Sequence, residues 1–542
     1  VSKLPEEVDI ISIGSGAAGC AAAVSAAQNG LRSLLLEKGS TLGGGTAFSL
    51  GGLWAPCNPY MADAGFPDDP EAATGYLSWL GGAAANRRNL DTYIRETAAT
   101  LKAFESAGMT FRMIDNFPDH YFPTAPGSSP KGRSLEARPI TEGELGQFAG
   151  RIHDSPYIQR GLNWSDAVAW GGFGNIRNWN HDELQARRDR GQLGSGQALI
   201  GQFLAALDRL GGQVVTDFRV TGLIWEDERV AGVRGEHLGR ACVIRAAKGV
   251  VIATGGYEGS PELIHRYEGL PGWANMFPPT LEGDGLVMAT ELGAVVYRLP
   301  VNLRMMLGYI EPSTKPGVPA GFRIAGPRGL SYPHSIVVNR HGRRFADEAQ
   351  FQYAVPAIQQ YDPLRHEYTN LPCYMIFDQD YLDRYSFAGQ NPGAPPPPWL
   401  ARFDSPAELA NHLGIDPAGF VATLDSFNLE AAQGRDPVFG RGNSSWAKST
   451  AGDREHKVNP NIAPVARAPF YGLPLCPSGI GSAGLQVDEA ARVQHVRGNP
   501  IAGLYACGNA AAPTDYGIGY QAGLTLMSGM IFGRLAVLDA LK

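Results

Sequence analysis

At 542 residues the chain is too long for one ordinary hydrophobic core, which predicts two domains. Its composition, 44% hydrophobic and 18% charged, excludes a disordered protein. A net charge of −7 gives no attraction to nucleic acid or to an acidic membrane surface, and no apolar run approaches the ~20 residues that span a bilayer.

The N-terminal stretch "VSKLPEEVDIISIG" passes directly into a strand, without a basic-then-apolar export signal. Six cysteines (Cys20, Cys57, Cys242, Cys373, Cys476, Cys507) lack CxxC spacing, so neither a disulfide framework nor a metal site is expected. Together these predict a reduced, cytoplasmic setting.

Residues 8–38, "VDIISIGSGAAGCAAAVSAAQNGLRSLLLEK", read as strand, glycine turn, Ala-rich helix and second strand. Gly14, Gly16 and Gly19 form GxGxxG around Ala17 and Ala18. Such glycines let the backbone approach a pyrophosphate at a helix N-terminus, where amide donors favour an anion. Glu37 ends the second strand, where it can accept from ribose hydroxyls, and Lys38 follows it. This is the signature of a Rossmann-like dinucleotide site in an α/β fold.

Next comes "KGSTLGGGTAFSLGGLWAP", whose Gly44, Gly45, Thr46, Ser49, Gly51 and Gly52 supply further donors for a long ligand. Two more strand–glycine turns lie far along the chain: Ala253, Thr254 and Gly255 in "IATGGYEG", and Gly508 and Asn509 in "GLYACGNAA". An extended FAD with its ring at a domain boundary would use all four blocks; a compact nicotinamide unit would not. Val220 and Asp284, with Gly523, Leu524, Thr525 and Leu526 at the start of the last helix, complete the expected contacts. No CxH attachment pattern lies beside the second block, so the FAD is expected to be non-covalent.

Between these blocks, 91–108 and 197–210 have helical periodicity, and two strand-like runs lie between residues 214 and 256. "PHSIVVNRHGRRF" reads as a strand and "QNPGAPPPPWL" as a proline-stiffened loop. "SPAELANHLG" and "DPAGFVATLDSFNLEAAQG" carry cap-like starts and glycine stops, which predict helices. Trp164, Trp170, Phe173 and Trp179 occur with few charges among them, and either wall an apolar pocket or pack against the cofactor domain.

The chain resembles the flavoprotein group of succinate dehydrogenase, fumarate reductase and 3-ketosteroid dehydrogenase. "GGGTAFSLGGLWAPCNP", "PHSIVVNRHGRRFADEA", "IFDQDYLDRYSFAG", "FNLEAAQGRDPVFGRG" and "PFYGLPLCPSGIGSAGL" each look like blocks of the ketosteroid branch, in the right order. The resemblance implies a Rossmann-like FAD-binding domain, residues 1–294 and 471–542, with an α+β catalytic domain, residues 295–470, inserted. It implies desaturation of a ketone at its α,β bond, a proton leaving Cα for a base and a hydride leaving Cβ for the flavin. The substrate would be a 3-ketosteroid or a smaller apolar cyclic ketone such as a cyclohexanone, with a separate electron acceptor.

In the resembled enzymes a tyrosine hydroxyl and a glycine amide hold the carbonyl within "YPGxG". Here the stretch is "GYQAG": Gly523 matches the amide donor, the Δ1-type tyrosine position falls on Gly519, and Tyr520 stands one residue later. Related Δ4-(5α)-dehydrogenases run Gly-Tyr-x-Ser-Gly, from which Ala522 departs. Tyr520 is the expected carbonyl donor. Tyr353, after "RRFADEAQFQ", matches the family base, and Tyr121 the tyrosine supporting it, with Phe122 lining the pocket; Tyr516 is held in reserve for a catalytic role.

Two other readings stand beside this one. Fumarate-type reduction needs cations to clamp two carboxylates, yet "PSGIGSAGL" carries no histidine, and Arg343, Arg344 and His334 suit structural roles. A flavoprotein that only relays electrons to partner subunits would not need the long aromatic insertion.

Overall fold

The structure, a computed structural model, describes residues 4–313, 321–325, 329–512 and 516–542. Strands β1 (Glu7–Ile13) and β2 (Ser33–Leu36) flank helix α1 (Ala17–Gln28), and β1 is buried at Ile10, Ile11 and Ile13. Both faces of this sheet are covered, so its central strands are apolar throughout instead of alternating. A short strand, β3 (Gly52–Trp54), follows the second glycine-rich block. Helix α2 (Ser195–Arg209) is buried over most of its length. After it come β4 (Gln213–Val215), β5 (Phe218–Glu226), β6 (Arg229–His237) and β7 (Arg240–Ile252).

The second half carries β8 (Met305–Glu311), β9 (Gly321–Ile324), β10 (Ser335–Asn339), helix α3 (Phe351–Ile358) and β11 (Cys373–Asp378). Helices Pro406–Leu413 and Pro417–Ala431 then follow, capped by Ser405 and Asp416, whose side chains accept from Glu408 N and Ala418 N. Proline at the first helical position costs nothing there, because that N–H is unpaired in any helix. The chain ends with β12 (Phe470–Gly479), β13 (Arg492–Gln494), β14 (Pro500–Ala506) and helix α4 (Leu524–Ala540).

Two large sheets result. The first runs β13-β14-β7-β1-β2-β4, with β6 pairing both β7 and β5. Its centre is parallel, Ile13 lying opposite Ile252 on one side and Leu36 on the other. The second runs β9-β8-β12-β11-β10 and is antiparallel. Strands far apart in sequence, β1, β7 and β14, run parallel and thus end at the same edge of the first sheet, with β7 between the other two.

Helix α4 lies on α1 at close range. A Cβ on Gly533 would stand 2.6 Å from the Ala18 carbonyl oxygen, and one on Gly529 3.0 Å from Ala18 Cβ. Small residues on both helices therefore let their axes approach and bring the first turn of α4 over the cofactor loop. Among the described residues no helix is long and apolar enough to cross a membrane, and all six cysteines are free.

Candidate active site

One continuous cavity of ≈ 340 Å³ runs from the Glu37 end of the first sheet to Trp446 in the second half of the chain. The cofactor residues read from the sequence line it, apart from Gly19 and Leu524. Gly19 packs instead: a Cβ there would overlap the Gly14 carbonyl. Leu524 is buried in the core beneath the cavity.

The walls fit an extended dinucleotide. Gly14 lies at φ +103, where a side chain would overlap the Ala253 carbonyl, so two of the glycine turns interlock. The Ala17 amide donates to Thr46 Oγ1 (3.1 Å), tying the first glycine loop to the second. Glu37 accepts from Ser15 N (3.1 Å), Ser15 Oγ (2.6 Å) and Gly39 N (2.8 Å), which holds its carboxylate on the cavity wall. Lys38 is engaged by Glu282 (2.8 Å) and Asp284 (2.6 Å). Asp284 therefore serves the site partly through Lys38, a contact the sequence pattern does not reveal. At the far end, α4 begins at Gly523, whose amide has no partner among the described residues. A helix N-terminus of this length favours partial negative charge.

The end of the cavity away from Glu37 is walled by Leu50, Trp164, Phe173, Met306, Phe351 and Trp446, with His120, Thr450 and Tyr520 the polar residues among them. Trp164 is pressed on Gly52, where a Cβ would overlap its ring. Trp170 and Trp179 pack instead with Phe173 and Leu184 in a satellite core. Trp164 and Phe173 thus line the cavity, whereas Trp170 and Trp179 pack in a small core of their own, which Phe173 shares.

Tyr520 makes no side-chain hydrogen bond among the described residues, and its remaining accessible surface opens on the cavity. Burial pushes its phenol up to about 12, so it is a donor at neutral pH. Tyr121 is buried with its ring edge-on to Trp79. Its phenol is raised by burial first, then by the neighbouring Tyr353 and Tyr520. Tyr353 is 45% exposed in the first turn of α3; Phe351, two residues earlier, is the member of that turn on the cavity wall. Tyr516 lies behind the cavity, where its hydroxyl meets Arg304 Nη1 at 3.3 Å.

Three residues of the site escaped the sequence reading. His120, adjacent to the expected Tyr121, lines the cavity with a ring stacked on Tyr520 (5.4 Å between centroids, 22° between planes). Arg304, 3% exposed, donates through Nη2 to Gly481 O (2.6 Å). Glu258 is buried beside it, pushed up to about 7 by burial despite the Gly481 amide it accepts. Of the three, only His120 stands beside a residue that the sequence marks, Tyr121.

Of the cations singled out in the sequence, Arg344 and His334 are engaged away from the cavity, whereas Arg304 lies on its wall. Arg344 is held by Glu348 (2.6 Å) and Asp436 (2.8 Å), and His334 Nδ1 lies 2.9 Å from Pro464 O.

The family described as FAD binding domain matches residues 9–523. The chain is 35% identical to 4-oxocyclohexanecarboxylate 2-dehydrogenase of Sinomonas cyclohexanicum, over 97% of this chain and 92% of that protein. It is 32% identical to 3-oxosteroid 1-dehydrogenase of Mycobacterium tuberculosis, over 98% of each. In fold it is similar to 3-ketosteroid Δ1-dehydrogenase from Sterolibacterium denitrificans in complex with 1,4-androstadiene-3,17-dione, with a TM-score of 0.86, 26% identity and 99% of both chains covered. Matched along nearly all its length and carrying the interlocked glycine cradle, the chain belongs to the FAD-binding flavoproteins, in the branch of the ketosteroid and oxocyclohexane dehydrogenases, and is an FAD-dependent oxidoreductase acting on CH–CH groups.

Proposed function

We propose that the chain desaturates a cyclic ketone of cyclohexanone size at its α,β bond. One observation carries this reading: the Tyr520 hydroxyl shares a turn with the Gly523 amide, neither has a partner among the described residues, and both residues line a cavity with aromatic walls.

In this reading Tyr520 and Gly523 donate to the ketone oxygen. An α-proton is acidic only as far as the developing enolate is stabilised, and donors in a dry site stabilise it strongly. Tyr353 is the base and Tyr121 its supporting phenol, the two lying close enough for Tyr353 to raise the Tyr121 phenol. A bound FAD would supply, at N5, the acceptor for the hydride that leaves Cβ. Leu50, Phe351 and Trp446 exclude water while this happens. Tyr516 anchors Arg304 and takes no part.

The substrate size is supported by the named substrate of the 35% identical relative. A 3-ketosteroid is the second reading, favoured by the close fold match to the Sterolibacterium enzyme. A separate electron acceptor reoxidises the flavin, in a reducing, cytoplasmic compartment suited to six free cysteines. The chain divides into an FAD-binding unit of 1–294 and 471–542 and a catalytic unit of 295–470, supported by the two separate sheets, with β12 straddling the second boundary.

The test is anaerobic mixing of the flavin-loaded protein with cyclohexanones, 3-ketosteroids and dicarboxylates while flavin absorbance is followed. Bleaching by ring ketones supports the reading. Bleaching by none of them, with electron exchange through a partner protein, replaces it with an electron relay.

A further inference from the structure

Among the described residues the buried arginines meet carboxylates, with one exception. Arg133 is held by Asp68 (2.8 Å) and Asp119 (2.9 Å), and Arg441 by Glu348 (3.4 Å). Arg304, equally buried, has no carboxylate in ion-pair contact among the described residues. Its guanidinium is fixed instead by two uncharged oxygens. Nη1 donates to the Tyr516 hydroxyl (3.3 Å) and Nη2 to the Gly481 carbonyl (2.6 Å), while Nε has no partner. An arginine stays charged in a protein, and a buried charge without a counter-charge is costly.

The place of this charge points to its counterpart. A second cavity of ≈ 20 Å³ lies behind the main one, and Arg304, Gly508, Asn509 and Thr525 line both. The last three belong to the cofactor cradle. None of the residues around Tyr520 reaches the small cavity, and neither do residues 14–17, where a pyrophosphate belongs. Arg304 directly precedes β8 of the second sheet, so it meets the cradle where the two sheets adjoin, the place expected for the flavin ring. Gly481 fixes a second charged group there, its amide donating to Glu258 Oε1 (3.0 Å) as its carbonyl accepts from Arg304. Glu258 also lines the main cavity.

We propose that Arg304 is the fixed counter-charge of the FAD ring, stabilising the negative charge that the ring gains on reduction and so raising the cofactor's reduction potential. The charge follows from the balance of the reaction. A hydride brings two electrons and one proton, and the proton from Cα leaves for the base, so the cofactor ends one negative charge richer. In a cavity with mostly apolar walls a positive charge acts at a distance, without contact. Tyr516 and Gly481 hold the guanidinium in place beforehand, so no reorganisation is needed when the charge arrives. Glu258, where ionised, subtracts from the effect. The inference rests on the FAD cradle and not on which ketone is oxidised.

The test is the midpoint potential of the bound flavin, measured by equilibration with a redox dye. Arg304→Met removes the charge and is expected to lower the potential by about 30 mV or more, a tenfold shift in the two-electron equilibrium. Sulfite, whose addition to a flavin also leaves the ring negatively charged, should bind about tenfold more weakly. Arg304→Lys keeps the charge and is expected to recover most of both. Burial, with Glu268 adding to it, holds the Glu258 carboxyl at about 7 although Arg304 favours its charged form. Glu258→Gln, which keeps an oxygen for the Gly481 amide, should therefore raise the potential measured above neutral pH.

An Arg304→Met variant with the parent's potential and sulfite affinity overturns the proposal, as does an Arg304→Lys variant shifted as far as the Met variant. Where the Met variant does not retain FAD, Glu258→Gln decides, and an unchanged potential in it overturns the proposal. An Arg304→Met variant that keeps its potential and its reduction by cyclohexanone, but loses reduction by 4-oxocyclohexanecarboxylate, assigns the guanidinium to a substrate carboxylate and also overturns it. The potential and sulfite readouts need no ketone, so a failure of the cyclic-ketone reading is seen separately.

Discussion

A Cβ on Gly523 would stand 2.5 Å from the Trp54 amide nitrogen, so the last helix starts in contact with the backbone of β3. Gly523 also has φ +86, a conformation that L side chains rarely adopt. Closeness and conformation together keep this position glycine and its amide on the cavity.

Gly523→Ala is therefore expected to destabilise the protein by about 1–3 kcal/mol through backbone strain, and to displace the first turn of α4. The flavin-to-protein ratio after gel filtration and the unfolding midpoint check this. Full flavin retention at an unchanged midpoint would mean that the β3 contact yields.

Tyr520→Phe removes a hydroxyl that no described protein group uses. Flavin reduction by a ring ketone should fall roughly 100- to 1,000-fold, while the unfolding midpoint moves little. Stopped-flow absorbance and thermal unfolding separate the two. An unchanged rate would remove Tyr520 from carbonyl binding.

The base predicts a pH dependence. Burial raises the Tyr353 phenol, and the Asp347 carboxylate raises it further. In the proposed reading only the Tyr353 phenolate would accept the α-proton, so flavin reduction should climb about tenfold per pH unit while the pH stays below that raised value. Asp347→Asn removes the nearby charge but keeps an oxygen for the Ala349 and Gln350 amides, which Asp347 now caps at 2.9 and 3.4 Å. The alkaline limb should then shift to lower pH. A limb that stays in place would take the role from Tyr353.

Arg344 lies buried between Glu348 and Asp436 and over the Phe427 ring (4.7 Å). Arg344→Met leaves Asp436 without its cation and Glu348 with Arg441 alone (3.4 Å), at an expected cost of about 3 kcal/mol. Burial works against both carboxylates, but Arg344 outweighs it and both titrate below their ordinary values. Their stabilisation is therefore complete above the ordinary carboxylate range and is lost as the pH falls through the lower, folded values. Denaturant unfolding at neutral and acid pH should show the gap between parent and variant narrowing in acid.

Much of the cofactor end was legible because its constraints are local. GxGxxG, the acid ending the second strand and the cap-and-stop signals at Ser405 and Asp416 each depend on neighbours a few residues away. Trp164, Trp170, Phe173 and Trp179 had no such signature. Two went to the cavity and two to a separate core because of what the rest of the chain placed above them.

The sequence by itself determined the dinucleotide cradle, the family and the displacement of Tyr520, since backbone conformation and residue spacing carry that information. Only the tertiary structure decided which side chains share the ketone's surroundings. His120 and Ala522 are separated by 402 positions, and the hydrogen bond between them forms only when the last helix packs on the first. Which groups surround a buried imidazole depends on every element packed around it, and no short stretch of sequence contains those groups.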